Sequence, residues 1–172
     1  MIRPTRFLGM LVALAVLAAP AAGQRVDIDD LAFKLEEAKP ADKDEALRRL
    51  ERTMSPKAAL PVLSLLAYND ENVLPTTKAL ALKIAMRLAD KDALPALREM
   101  LKSADVQVRE WAVRVLPFCE TAESVEMLKA AARDPERRVR LAAIESLGNA
   151  SDPGLAAWLD ELAANPDSGI AG

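Results

Sequence analysis

The sequence predicts an all-α fold of stacked helical hairpins, and both its apolar periodicity and its composition indicate this fold. From Val26 onward, apolar residues recur three and four positions apart, which is the spacing of one helix face, and Asp, Ser, Asn and Pro mark short breaks. The apolar residues are mostly Ala, Leu and Val, with three Phe, two Trp and one Tyr. Ala and Leu favour helices, whereas strands are rich in aromatic and β-branched residues.

A repeat is the third observation, because shifting the chain by 31 residues superposes similar residues. Ala81, Ala112 and Ala143 fall in register, as expected where two helices approach closely. The larger apolar residues align as well: Leu82, Val113 and Ile144; Ala85, Leu116 and Leu147; Leu97, Leu128 and Leu159. Leu63 stands 34 residues before Leu97, which predicts a turn three residues longer in that unit.

Each predicted break carries a helix start signal. Ser55 before Pro56, Asp134 before Pro135 and Asp152 before Pro153 place a capping side chain ahead of a proline at the first helical position. We expect antiparallel helix pairs and one last single helix, about 153–164, that covers the end of the stack. The pairs are 27–38 with 43–54, 56–69 with 75–88, 91–102 with 106–116, and 122–132 with 136–148. A lone hairpin is apolar on two sides, so neighbouring hairpins must cover it.

Two segments carry a family resemblance: ADKDALPALREMLKSADVQVREWAV (89–113) and ESVEMLKAAARDPERRVRLAAIESLG (123–148). They resemble the HEAT-repeat family, in particular the short HEAT-like repeats of bacterial proteins, and the likeness spans about 46–166. The resemblance implies a right-handed α-solenoid, a HEAT-like superhelix of about four helical hairpins plus a C-terminal capping helix. It also implies that the second helix of each pair lines the concave face.

The first 23 residues have the composition of a secretory signal peptide. Arg3 and Arg6 precede an apolar run over 8–19, and small residues follow it. About 12 to 16 apolar residues fall short of the ~20 that span a bilayer, so we favour cleavage near Ala22 or Gly23 over an uncleaved anchor. We expect a HEAT-like domain over 24–166, a disordered tail over 167–172, and a periplasmic or secreted protein that meets the membrane only during export.

Catalytic and metal chemistry find little support in the composition. Histidine is absent and there is one cysteine, Cys119, which we expect to be buried. No glycine-rich phosphate loop or nucleophile motif occurs. Net charge is −3, and −5 once Arg3 and Arg6 leave with the leader. We therefore expect a protein that is not an enzyme, holds no metal or cofactor and binds no nucleic acid.

The candidate site is a set of cations on the second helices. Lys78, Arg109 and Arg140 share one position of the repeat, and Lys83 and Arg114 share another, which Glu145 breaks. In the resembling family an Asp of the turn commonly pairs with the first position, and Asp134 precedes Arg140 by six residues, whereas Ser103 and Asn72 stand at the matching places. This column is therefore either a structural ladder or part of a binding stripe.

Trp111 lies in register with Leu80 and Ala142, so partial burial is expected, although tryptophans often anchor interfaces. The partner-binding candidates are Lys78, Lys83, Arg109, Trp111, Arg114 and Arg140.

These features fit an exported protein-interaction scaffold or adaptor that docks an acidic segment of another protein. We expect it to be a monomer. Two alternatives stay open. Similar short HEAT-like repeats occur in lyases that attach bilin chromophores, and the stack could instead be an accessory module that assembles with copies of itself. Changing Arg109 and Arg140 to Glu separates the two roles of that column, because unfolding indicates a ladder and loss of partner capture indicates a binding stripe.

Overall fold

The computed structural model describes residues 27–148 and 154–164, and within these ranges the chain forms nine α-helices and no strand. The predicted pairs and the final helix are confirmed, with ends that shift by up to three residues. The helices are α1 Ile28–Glu37, α2 Lys43–Arg52, α3 Ala59–Tyr68, α4 Pro75–Leu88, α5 Leu94–Leu101, α6 Val106–Val115, α7 Ala122–Ala131, α8 Arg137–Gly148 and α9 Leu155–Ala164. The predicted leader and tail lie outside the described residues.

Short 3₁₀ turns join one pair to the next. Pro56–Ala58 and Lys91–Ala93 lead into α3 and α5, and Leu116–Cys119 follows α6. The predicted start at Ser55 is confirmed in position, although its side chain makes no capping hydrogen bond. Asp134 accepts a hydrogen bond from the Glu136 backbone N–H at 2.8 Å, just before α8 begins. The predicted cap at Asp152 lies outside the described residues.

Each helix pair forms one layer of the stack, and the layers are numbered in chain order. The core lies between the layers, where the repeat predicted it. Ala81, Ala112 and Ala143 are fully buried. Leu97 and Leu128 of the first helices are also fully buried. The absence of a large side chain at the alanine positions lets adjacent second helices pack closely, and each layer therefore covers the apolar side of the next.

The helices form two rows, which positions the candidate site. The first helices α1, α3, α5 and α7 contact one another in sequence, and so do the second helices α2, α4, α6 and α8. At the start of the stack, Arg49 of α2 stands at the repeat position that buried Ile84 occupies in α4 and buried Val115 in α6. Arg49 is exposed, so the outward side of the first layer is polar there. At the other end, α9 adds Leu155 to the core.

Candidate functional site

One column of cations crosses the stack beside the turns that join the helices of each pair. We call Lys43, Lys78, Arg109 and Arg140 the buried cation column. Lys43 and Lys78 donate hydrogen bonds to carbonyl oxygens at the end of their own pair's first helix. Arg109 and Arg140 donate to carbonyl oxygens of the turn that follows that helix. The bonds are Lys43 Nζ to Leu35 O at 2.8 Å, Lys78 Nζ to Asn69 O at 3.4 Å, Arg109 Nη1 to Ser103 O at 2.9 Å and Arg140 Nη1 to Asp134 O at 2.8 Å.

The chemistry of these contacts follows from the helix end. The last carbonyl groups of a helix have no partner within it, and the aligned peptide dipoles make that end partly negative. Lys43 and Lys78 satisfy such carbonyls and lie in this favourable field, whereas Arg109 and Arg140 satisfy carbonyls of the turn itself. The column therefore fixes each second helix to the turn that precedes it.

Arg109 has the strongest set of contacts in the column. Its guanidinium donates to both carboxylate oxygens of Asp134, with Nε to Oδ2 at 2.8 Å and Nη2 to Oδ1 at 3.0 Å. Both side chains are 11% exposed. The hydrogen bond to Asp134 raises the pKa of Arg109, against the opposing effect of burial. This bidentate pair joins the third layer to the fourth.

The partner of Asp134 differs from the expected one. The family pattern suggested that its carboxylate pairs with Arg140 of its own unit, but the carboxylate binds Arg109 of the preceding layer, and Arg140 donates to the backbone oxygens of Asp134 and Pro135. The turn of one unit packs on the second helix of the preceding unit, which brings Asp134 to Arg109.

The second layer uses a neutral bridge at the same place. Asn69 ends α3 in a left-handed conformation, accepts a hydrogen bond from Lys78 Nζ at 2.6 Å and donates one to the Asp105 carboxylate. The bond from Asn69 lowers the pKa of Asp105, and Lys78 adds to the effect. The pKa of Asp70 is also lowered, chiefly by the Asn72 backbone N–H and side chain. Asn72 therefore forms its hydrogen bonds within its own turn, and Lys78 pairs with Asn69 instead.

A second column lies five residues further along the same helices. We call Arg48, Lys83 and Arg114 the exposed cation column. Arg48 and Lys83 are exposed, and neither makes a hydrogen bond or ion pair with another residue in the described part of the chain. Arg114 is 43% exposed and pairs with Glu110. In α8 the corresponding residue is Glu145, so the cations occupy the first three layers.

Glu110 binds two arginine side chains of this face. Its side chain is 10% exposed and accepts hydrogen bonds from Arg114 Nε at 3.0 Å and from Arg138 Nε at 2.7 Å, while Arg138 also donates to Gln107 Oε1 at 2.8 Å. One carboxylate between two guanidinium groups leaves a net charge of +1. Arg114 of the third layer and Arg138 of the fourth therefore leave one positive charge where they share Glu110, while Arg48 and Lys83 each add a cation without an ion-pair partner in the described chain.

Some of the predicted site residues belong to the exposed cation column, and others are buried or half-buried. Lys83 and Arg114 lie on the exposed face, as a binding role requires. Arg109 is buried, and Lys78 and Arg140 are half-buried against the turns. Trp111 is 8% exposed and belongs to the hydrophobic core. Burial removes Arg109 and Trp111 from any partner surface.

Sequence analysis missed two cations, Lys43 and Arg48. They stand 35 residues before Lys78 and Lys83, and not 31, because α2 begins at Lys43 itself whereas α4 begins three residues before Lys78. The pairing of a lysine with a basic residue five positions later, present at both sites, is the signal that could have identified them.

Other features of the described chain add no chemistry. A shallow cavity of about 310 Å³ at the outer side of the first layer is lined by Leu31, Asp42 and Arg49 among others. Cys119 is buried as predicted, and burial raises the pKa of its thiol to about 11. Within 27–148 and 154–164, no cluster of three or more His, Cys, Asp or Glu side chains could hold a metal ion, and no helix has the length and apolarity needed to cross a membrane.

Comparison with known families gives one match. The family model described as HEAT repeats matches residues 100–171, which include α6, α7 and α8. A search of curated proteins found no match. The matched family agrees with the two-row helical stack and with the sequence resemblance.

Proposed function

We propose that this chain, which matches HEAT repeats over residues 100–171, is a non-catalytic scaffold that holds an acidic segment of another protein on its row of second helices. HEAT repeats generally mediate protein–protein interactions. The exported location, the acidic partner and the monomeric state are parts of the proposal.

The observation that carries the proposal is the exposed cation column. Arg48, Lys83 and Arg114 lie at one repeat position on three adjacent helices, and Arg48 and Lys83 have no carboxylate partner in the described chain. The chain as a whole carries −3, so this cationic face runs against the overall charge. A local patch of opposite sign steers a complementary partner and sets its orientation.

The buried cation column supports the same function in another way. Its contacts tie each second helix to a turn, and the Arg109 pair with Asp134 ties one layer to the next. A surface that is rigid before binding loses less conformational entropy when a partner docks. The scaffold therefore presents its cations at fixed separations.

Export is proposed from the sequence of the first 23 residues. Arg3 and Arg6 followed by an apolar run and small residues have the order of a secretory signal. We expect the protein isolated from the native cell envelope or medium to begin near Gln24, which intact-mass measurement and N-terminal sequencing test directly. A chain that stays in the cytoplasm with Met1 or Ile2 at its start would contradict export.

The binding proposal is tested by charge reversal. We expect the triple variant Arg48→Glu, Lys83→Glu, Arg114→Glu to lose capture of its partner from the native envelope fraction, because the attraction becomes repulsion. The matched control is Lys39→Glu, Lys57→Glu, Lys91→Glu, which changes the charge equally at exposed lysines outside the second helices. Circular dichroism must show that both variants remain helical.

Two results would contradict the proposal. If the first variant still captures the partner, the exposed cation column is not the binding surface. If both variants lose capture equally, the interaction depends on overall charge and not on this column. Light scattering of the isolated protein tests the monomeric state, since a stable oligomer would favour self-assembly.

A further inference from the structure

We infer that the segment bound by the exposed cation column is a chain in the extended polyproline II conformation with a carboxylate at every third residue. This inference rests on the proposed function and specifies the partner's chemistry. It follows from the spacing of Arg48, Lys83 and Arg114, which lie on the successive helices α2, α4 and α6.

The spacing of the layers selects the spacing of the carboxylates. Packed helices lie about 8–10 Å apart, so neighbouring cations of the column repeat at about that distance. A chain in the extended polyproline II conformation rises about 3.1 Å per residue with three residues per turn, so every third side chain points the same way, about 9 Å further along. A helical segment rises about 1.5 Å per residue and would need its carboxylates about seven residues apart. The two conformations therefore predict different sequence patterns in the partner.

Each layer can receive one carboxylate. Arg48 and Lys83 are exposed with their donors unused in the described chain. In the third layer Arg114 donates Nε and Nη2 to Glu110, and Arg138 of the adjacent fourth layer shares that carboxylate. The net positive charge there attracts a further carboxylate, and the two half-exposed guanidinium groups keep donors directed to solvent.

The length of the bound segment follows from where the cations stop. Glu145 takes the position of the column in α8, so the column offers no fourth cation to a carboxylate at that layer. Three carboxylates at every third residue span seven residues, or about 19 Å of chain in the polyproline II conformation. An acidic segment of that length fills the first three layers.

Three labelled peptides of one composition test the spacing. Each carries three aspartates in a background of glycine and serine, placed at every third residue, at every seventh residue, or as a contiguous block, and fluorescence anisotropy measures their affinity for the full chain at low salt. We expect the peptide with aspartate at every third residue to bind about tenfold more tightly than the block, because only it can meet three cations at once. We expect this preference to disappear in the variant Arg48→Glu, Lys83→Glu, Arg114→Glu and to persist in Lys39→Glu, Lys57→Glu, Lys91→Glu.

A charge swap tests the register directly. Lys83→Glu should weaken the peptide spaced at every third residue, and replacing the central aspartate of that peptide by lysine should restore its affinity for this variant. Rescue at the central position but not at the outer positions supports one carboxylate per layer.

The outcomes separate this inference from the proposal on which it rests. If all three peptides bind equally and the first triple variant weakens them all, the spacing is wrong and the cationic surface stands. Preference for the peptide spaced at every seventh residue overturns the extended conformation. Binding that the first triple variant leaves unchanged overturns the surface itself.

Discussion

The two cation columns lie five residues apart on the same helices and have opposite surroundings. Arg109 donates to two backbone carbonyls and to the carboxylate of Asp134, whereas Lys83, one layer earlier and five positions further along its helix, has no partner in the described chain. The charge is the same, and the difference is the distance from the turn. A cation beside the turn finds carbonyl and carboxylate acceptors and becomes part of the fold, while one further along the helix remains available to a ligand.

The largest expected effect is that of Arg109→Met. Removing the guanidinium leaves the mostly buried carboxylate of Asp134 without its bidentate partner and two turn carbonyls without a donor, so we expect a loss of about 3 kcal/mol in the free energy of unfolding. Urea unfolding followed by circular dichroism measures it, with Arg48→Met as the matched exposed control. An equal small effect in both variants would remove the distinction between the columns. The variant Arg109→Glu, Arg140→Glu should accordingly unfold before it reveals anything about binding.

Lys43→Met should cost less, about 1.5 to 2 kcal/mol. Lys43 is buried but donates only to the neutral carbonyls of Leu35 and Glu36, and a hydrogen bond from a charged group contributes in that range. The same urea measurement ranks Lys43→Met between Arg109→Met and the exposed control. A cost no larger than the control would show that the first layer does not use the buried column.

Acidification should weaken the turns that face the buried column. Hydrogen bonds and nearby lysines lower the folded-state pKa of Asp105 and Asp70 below the ordinary value, so their contribution to stability is complete above that value and is lost as pH falls through the folded-state pKa. We expect a lower urea midpoint at about pH 3 than at about pH 7, and a smaller drop in Asp105→Asn, which keeps a capping side chain but cannot titrate. An identical drop in the variant would show that Asp105 makes no contribution.

The smallest effect on stability is expected for Lys83→Glu. The side chain is exposed and unpaired in the described chain, so the change should alter the unfolding free energy by less than about 0.5 kcal/mol. The thermal midpoint by circular dichroism should match that of Lys57→Glu. A clear destabilisation would mean that Lys83 has a structural contact, and the case for a free binding surface would weaken.

The predicted site mixed residues from both columns because sequence position does not show where a long side chain ends. Lys78 and Lys83 differ by five positions, and both lie on the polar part of an amphipathic pattern. Five positions turn the side chain onto a different part of the helix surface and move it about 7 Å along the axis. That displacement separates a cation beside the turn from one in solvent.

The sequence by itself determined the helices, their pairing and the stacking of pairs, because apolar spacing and matched alanines are properties of the chain that packing must satisfy. Its predicted boundaries for α4, 75–88, coincide with the observed Pro75–Leu88. Tertiary structure alone decided that Asp134 binds Arg109 of the preceding layer and that Lys43 and Arg48 extend the two columns into the first layer. The physical reason is that the position of a charged side chain relative to other helices and turns exists only after the helices and layers have packed.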